Sequence, residues 1–348
     1  MYKQYQPVVE ATRGSVVESI HFGAVAVVDS EGRLIASYGS PEAVSCLRSS
    51  SKPIQILPFV EDGGVEKYNL TEKELAVMCA SHSGTDEHVE VVDGIQKKIG
   101  VVESDLLCGT HPAIDKDTAK AMTLRGETPT PLRHNCSGKH TGMLADALLH
   151  DLSIENYIDA DHPLQKLLLK TFAEMCDLKP EDVKLGIDGC SVPVFAVPLF
   201  NAAHAFARIA DPVALADKRA IACRKISQAM MHHPFMVAGP NRFDTALMEA
   251  AAGNIFCKGG AEGYLCIGII PNVIDGHSNG IGIAIKISDG DAAGRAIALT
   301  AVETLRQLGA LNEEMLAGLA KFDRRPIYNW RDFEVGELRP CFTLEFHH

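Results

Sequence analysis

The chain has 348 residues, 46% hydrophobic and 22% charged, a globular composition with enough apolar surface to bury a sizeable core. Its formal net charge of -12 leaves no basic footprint for nucleic acid or for an anionic membrane surface. No stretch approaches the roughly 18 uninterrupted apolar residues of a spanning helix, and the opening MYKQYQPVVEATRG lacks the apolar region of a secretory signal.

Strand signals come first along the chain. Phe22 to Asp29 (FGAVAVVD) is apolar and β-branched, Ser30-Glu31-Gly32 is a turn, and Arg33 to Tyr38 returns, which predicts a hairpin. From about residue 41 the pattern is helical. Thr71 with Glu74 forms a capping box ahead of Leu75 to Ala80, and Asp86 to Lys98 predicts a second helix stopped by Gly100. Further helices are expected at His140–Leu149, Pro163–Cys176, Pro212–Met231 and Arg242–Ala252. Asp161-His162-Pro163 and Asp211-Pro212 read as helix starts. Strand character returns at Gly263–Ile270 and Gly280–Ile287, around the turn-rich segment Pro271–Asn279, and an amphipathic helix follows at Ala292–Leu308.

Consecutive strands with short connections cannot form a doubly wound parallel sheet. The order predicts an α/β (α+β) protein whose antiparallel sheet is built from both chain ends and flanked by helices. A sheet subdomain at roughly 1–45 and 253–348 and a mainly helical one at roughly 46–252 form one catalytic unit. Ten cysteines stand singly with no CxxC, which reads as reduced thiols in a cytoplasmic protein.

Arg48-Ser49-Ser50-Ser51-Lys52-Pro53 opens the helical region. Only i,i+3 and i,i+4 neighbours share a helix face, so of the three serines Ser49 is the one stacked on Lys52. A serine hydroxyl needs a base to become a nucleophile, and a lysine can serve when its surroundings favour the free amine. The bland alternative is a capping serine with a solvated lysine. Two later features favour the chemical reading. Cys79-Ala80-Ser81-His82-Ser83-Gly84 ends the capped helix in a Gly-terminated turn, and Lys258-Gly259-Gly260 precedes the strand Gly263–Ile270. Serine and lysine on a helix, a second serine, and a lysine–glycine pair beside a late strand are the parts of the penicillin-recognising serine enzymes.

Beyond these parts, the segments RSSSKP (48–53), CASHSG (79–84), CGTHP (108–112), HNCSGKHTGMLA (134–145), GIDGCSVP (186–193), AGPNRFDT (238–245) and CKGGAEG (257–263) resemble the rhizobial-type L-asparaginases. The resemblance runs from near Gly14 to about Glu303. It implies a β-lactamase/glutaminase-like serine fold, hydrolysis of L-asparagine to L-aspartate and ammonia through an acyl-enzyme, and a homodimer. It also implies two Ser-Lys tandems, on Ser49 with Lys52 and on Ser81 with Lys258, and a Zn²⁺ ion held by Cys136, Lys139 and Cys190. His140 and Asp188, in the same motifs, are candidate substrate-facing groups, with Arg48 and Arg242 as candidates for the substrate's charged ends. One departure is that Ser50 and Ser51 fill the gap where small apolar residues are usual.

Without the resemblance, the zinc reading competes with a plain Gly turn leading into a helix. Likewise, His232-His233-Pro234 reads as a helix end, not a metal site. The alternatives to an asparaginase are a glutaminase or other small-molecule amidase, a zinc-dependent hydrolase, and a non-enzymatic amino-acid-binding protein.

Overall fold

The computed structural model describes residues 4–347, so the first three residues of the N-terminal stretch and His348, the last of the terminal histidines, lie outside it. The chain divides into two units. One comprises the chain up to Ser50, Val197–Ala214, and the chain from Ala246 onward; the other comprises Ser51–Ala196 and Leu215–Thr245.

The strands are β1 (Gln6–Arg13), β2 (Val16–Asp29), β3 (Leu34–Tyr38), β4 (Val44–Cys46), β5 (Lys184–Ile187), β6 (Pro193–Pro198), β7 (Ile255–Gly260), β8 (Tyr264–Ile269), β9 (Ile281–Ile287), β10 (Arg325–Tyr328), β11 (Glu334–Pro340) and β12 (Glu345–Phe346). The first unit carries a nine-stranded sheet whose main path runs β10-β11-β1-β2-β9-β8-β7, with β3 on β2 and β12 on β3. Its strands pair antiparallel, as the short connections require. The expected mixed α/β architecture with a sheet from both chain ends is therefore present.

Gly23–Asp29 of β2 is buried at every residue, as is all of β8. Such continuous runs mean that both faces of the sheet are covered. The helix Leu199–Ala210 packs on β2, β8 and β9, and Ile297–Gln307 packs on β9, β11 and β1. The first helix comes very close. A side chain at Gly282 of β9 would overlap the Ala203 carbonyl, so only glycine fits there.

In the second unit, the helix Glu72–Met78 packs against Asp217–His232, Ser137–Leu149 and Asp86–Ile99. It starts at the expected capping box. Glu74 N–H donates to Thr71 Oγ1 at 3.3 Å and Thr71 N–H donates back to Glu74 Oε2 at 2.7 Å. β5 and β6 form an antiparallel hairpin. Phe172 packs against Phe195 in this unit's core, with ring centroids 4.5 Å apart and the planes tilted by 32°.

Several helix starts differ from expectation. The helix predicted from Pro212 begins at Asp217, after a single 3₁₀ turn at Pro212–Ala214. Asp211 cannot cap it, because its carboxylate already accepts from Ser30 Oγ at 2.8 Å and from the Gly280 N–H at 3.0 Å. The helix expected from Pro163 does start there, with His162 as its N-cap, whose Nδ1 accepts the Leu164 N–H at 3.1 Å. The late helix begins at Ile297 instead of Ala292, with the Asp291 carboxylate accepting from the N–H groups of Arg295, Ala296 and Ile297. The sequence predicted no element for β1, for the β5–β6 hairpin or for Leu199–Ala210.

Candidate active site

In the second unit the chain leaves the buried helix Glu72–Met78 straight into Cys79–Gly84, and this segment is pinned along its length. Ser81 N–H donates to Val237 O at 3.0 Å, His82 N–H to Asn135 O at 3.2 Å, and Ser83 Oγ to Ala238 O at 2.7 Å. His82, fully buried, accepts the Gly84 N–H on Nδ1 at 3.1 Å and meets Ser137 Oγ through Nε2 at 2.8 Å. Burial, then the neighbouring His88 and Lys52, push its pKa well below the ordinary histidine value, so it is a neutral strut. Gly84 has φ +71°, a conformation that favours glycine.

Lys52 points its amine at this segment. It is 1% exposed, and Nζ donates to Ala80 O at 2.5 Å and to Ser81 Oγ at 2.9 Å. A buried ammonium or amine held by a main-chain carbonyl on one side and a hydroxyl on the other is fixed in position. Of its two partners, only the serine hydroxyl can pass a proton on.

The helix Ser137–Leu149 starts at Cys136 and is buried from Ser137 to Ala147. It brings Lys139 to Cys190, which lies just past the turn that follows β5. Nζ lies 2.9 Å from Sγ. Cys136 and Cys190 are also close enough to act on each other's charge. Cys190, aided by Lys52 and Lys139 against burial, holds the Cys136 thiol well below its usual pKa, and Cys136 together with burial pushes Cys190 up. Burial works against the Lys139 charge, but Cys190, Cys136 and Asp188 outweigh it and leave its pKa raised.

His140 turns Nδ1 to the Tyr157 hydroxyl at 2.6 Å, and the same hydroxyl accepts the Leu107 N–H at 2.9 Å. Its Nε2 is buried without a hydrogen bond of ordinary geometry, and Cys190 is its polar neighbour. Burial and then Lys139 push the ring's pKa down to about 4.

No group of three or more His, Cys, Asp or Glu side chains among the described residues could hold a metal ion. The residues nevertheless fit zinc once an amine is admitted as a donor. Two buried thiols act on each other's charge, a lysine amine stands 2.9 Å from one of them, and an imidazole nitrogen without a hydrogen bond adjoins it. Binding would have to displace the protons that Lys139 and Cys190 hold.

In the first unit, Arg48–Ser51 is a 3₁₀ turn entered through Arg48 at φ +51°. The short α-helix Lys52–Gln55 follows directly, so no continuous α-helix spans positions 49 to 52. Ser49 is half-buried, and its hydroxyl makes no hydrogen bond among the described residues. Ser50 Oγ donates to Lys258 O at 2.7 Å. Lys258, fully buried in β7, donates to Gly259 O at 2.7 Å. The next glycine is required, because a side chain at Gly260 would overlap the Leu47 carbonyl.

The second unit therefore gathers Lys52, Ser81, Cys136, Lys139, His140, Cys190 and Asp188. The first unit holds Arg48, Ser49 and Lys258. Arg242 is half-buried, and no hydrogen bond or ion pair among the described residues ties it to these groups. Sequence reasoning missed Tyr157, which lies in a turn-rich segment without pattern, and His134. The only signal for His134 was its place two residues before Cys136. His134 is 7% exposed, Nδ1 accepts the Cys136 N–H at 3.0 Å, and Lys52, Lys139 and Cys190 all act on its charge.

A sequence profile described as L-asparaginase II matches residues 9–340. A search among curated proteins returns no match. Among solved structures, a probable glutaminase from Bacillus subtilis complexed with 6-diazo-5-oxo-L-norleucine is 12% identical over 83% of this chain and 84% of its own, with a TM-score of 0.38. A Bacillus glutaminase is 10% identical over 83% of this chain and 91% of its own, also at 0.38. Likenesses this distant carry no argument of their own.

Proposed function

The chain belongs to the L-asparaginase II family and is an amidohydrolase; on that premise we propose that it hydrolyses L-asparagine to L-aspartate and ammonia with Ser49 as its nucleophile. The observation that carries this reading is the buried Lys52 amine, hydrogen-bonded to the Ser81 hydroxyl in a segment fixed by main-chain bonds. A serine hydrolase needs such a proton-handling pair, held rigid and away from water.

In this mechanism the Ser49 oxygen attacks the side-chain amide carbon while its proton passes towards Lys52. Ser81, with Lys258 as its tandem lysine, relays that proton to the amide nitrogen. The C–N bond breaks, ammonia leaves, and a β-aspartyl ester remains on Ser49. Water then attacks the ester carbon, the bond to Ser49 breaks, and the serine recovers its proton as L-aspartate departs. Arg48 and Arg242 are proposed to hold the substrate's α-carboxylate, with Asp188 on its α-amino group and His140 beside the substrate. Cys136, Lys139 and Cys190 are the proposed zinc ligands. The bound ion would supply a fixed positive charge that orients substrate, while Ser49 remains the nucleophile.

The proposal includes a homodimer in the cytoplasm, for which sedimentation equilibrium checks the assembly. Among the described residues no helix is long and apolar enough to cross a membrane.

The deciding experiment measures ammonia release from asparagine and from glutamine by the wild-type chain and by Ser49→Ala. Asparagine should be the better substrate, and the variant should lose about 10³-fold or more, because a nucleophile acts in every turnover. Retention of more than about a tenth of the activity by Ser49→Ala would sink the mechanism. Preference for glutamine would sink the substrate assignment alone.

A further inference from the structure

We propose that β5 (Lys184–Ile187) is the strand through which two copies of this chain pair, antiparallel and centred on Gly186. The inference deepens the homodimer of the reading above, and rests on it, by naming the surface that joins the copies.

β5 lies at the edge of its sheet. One side pairs with β6, setting Leu185 opposite Phe195 and Gly186 opposite Val194, and no strand among the described residues pairs the other side. All four residues are exposed, Leu185 at 50% and Ile187 at 84%. Residues directly opposite in a ladder point to the same face, so Leu185 and Ile187 extend into solvent the face on which Phe195 is buried. Proteins normally blunt such an apolar edge with charge, proline or a covering element, because its open N–H and C=O groups recruit other strands.

The ladder fixes which groups are open. The Asp188 N–H donates to Val192 O at 2.9 Å, so by alternation Gly186 and Lys184 also face β6, while Leu185 and Ile187 direct their N–H and C=O groups outward. A second β5 laid antiparallel, Gly186 on Gly186, brings Leu185 opposite Ile187 on both sides of the centre. Each of those pairs exchanges two main-chain hydrogen bonds. The glycines meet where the two main chains come closest, with no side chain to keep them apart.

The same register selects a second copy as the partner. Lys184-Leu185-Gly186-Ile187-Asp188, laid against its own reverse, sets positive on negative at both ends and apolar on apolar between them. Opposite charges directly across two strands stabilise the pair and like charges destabilise it, so the segment is complementary to itself. A shift by one residue sets outward groups against inward ones, and a shift by two leaves Lys184 and Asp188 facing neither other. The two-fold pairing also closes on itself, since each copy covers the other's open edge. Each Lys184 thereby stands beside the partner's Asp188, the residue proposed above for the substrate's α-amino group. Asp188 Oδ1 accepts the Gly189 N–H at 2.8 Å, and a carboxylate's acceptor sites, about four in all, leave room for the lysine.

Sedimentation equilibrium of the full chain reads the dimer constant. Lys184→Glu sets like charges opposite at both ends and should weaken the dimer about 10-fold or more, as should Asp188→Lys. Ile187→Pro keeps the β6 ladder, which takes no N–H from that residue, but removes half of the main-chain bonds between copies and should weaken the dimer about 10²-fold. Mixed in equal amounts, the Lys184→Glu and Asp188→Lys chains should form a heterodimer about as tight as the wild-type dimer, because each end then pairs opposite charges. The proposal is overturned if the wild type is a dimer while Lys184→Glu and Ile187→Pro pair as tightly as it does; the homodimer then stands on another surface. It is equally overturned if the mixture of folded variants gives no heterodimer. Should Asp188→Lys not fold, the other two variants decide alone. A wild-type chain that stays monomeric at high micromolar concentration would overturn the homodimer reading, and this inference with it.

Discussion

Lys52 reaches its place with a four-carbon stem that is itself buried, and its amine satisfies one carbonyl and one hydroxyl. Replacing it by Met fills nearly the same volume but removes the amine. Ala80 O and Ser81 Oγ then lose a buried partner, which costs about 1–3 kcal/mol. Activity should fall about 10³-fold, because the proton can no longer leave the nucleophile. Ammonia release and urea unfolding of Lys52→Met check both parts. A stability loss without an activity loss would make the lysine purely structural. The sequence pointed to Lys52 through its spacing from Ser49, which is local. The bond from Lys52 to Ser81 was not legible, because it closes across 28 intervening residues and depends on how the Glu72–Met78 helix is packed.

Helices show how closely this protein has built its proton-handling parts. The turn holding Gly138 runs against the end of the Glu72–Met78 helix, where an added methyl would overlap the Val77 carbonyl oxygen. Gly138→Ala should therefore force the Ser137–Leu149 helix away and destabilise by roughly 1–3 kcal/mol, with activity lost well before unfolding. Urea unfolding and ammonia release measured side by side check it; an Ala variant as stable and active as wild type would mean the helix can yield.

Further along the same helix, Asp146 is 1% exposed, with the His150 ring beside it at 3.2 Å through Nε2. Burial, then Asp62, raises its pKa from 3.8 to about 7. Between those values the native chain keeps a proton that the unfolded chain has released. The stabilisation is full below about pH 4 and drains away as pH rises to 7, by up to ~4 kcal/mol. Asp146→Asn cannot titrate, so its stability relative to wild type should rise between pH 5 and pH 8. Parallel urea midpoints for the two chains at both pH values would refute the burial of a titrating acid.

Local signals such as the Thr71–Glu74 box were readable because both partners lie within one turn. The start of the late helix was misread because Asp291 reaches past a glycine turn to cap it. β1 was missed although it pairs with the adjacent β2, because its other partner β11 lies more than 300 residues away in sequence, and Asp211 because Ser30 and Gly280 claim its carboxylate. His134 was passed over because a histidine beside a cysteine loop has no pattern until the Cys136 N–H is seen to fix its tautomer.

For the whole molecule, buried neutral histidines set the acid limit. His88 is fully buried, with burial the first cause of a pKa lowered from 6.5 to about 4. As pH falls below 6.5 the unfolded chain takes up this proton before the native chain does. Stability is thus lost between about pH 6.5 and 4, by up to ~3 kcal/mol from this one ring. His88→Gln should flatten that part of the curve of unfolding free energy against pH, read by urea titration at half-unit steps. An unchanged slope would place the acid sensitivity elsewhere.

The sheet has one more consequence, in time instead of space. β2 is synthesised within the first 29 residues, yet its partner β9 begins at Ile281. At a synthesis rate of about 5–20 residues per second, the apolar edge Ala24–Val28 waits unpaired for some tens of seconds on the ribosome. In that interval β3 can cover the strand's other edge, while the edge that faces β9 stays open to any partner. Chaperone demand during expression should therefore track the translation of residues 30 to 280, and synonymous changes that slow that stretch should lower soluble yield without altering the finished protein.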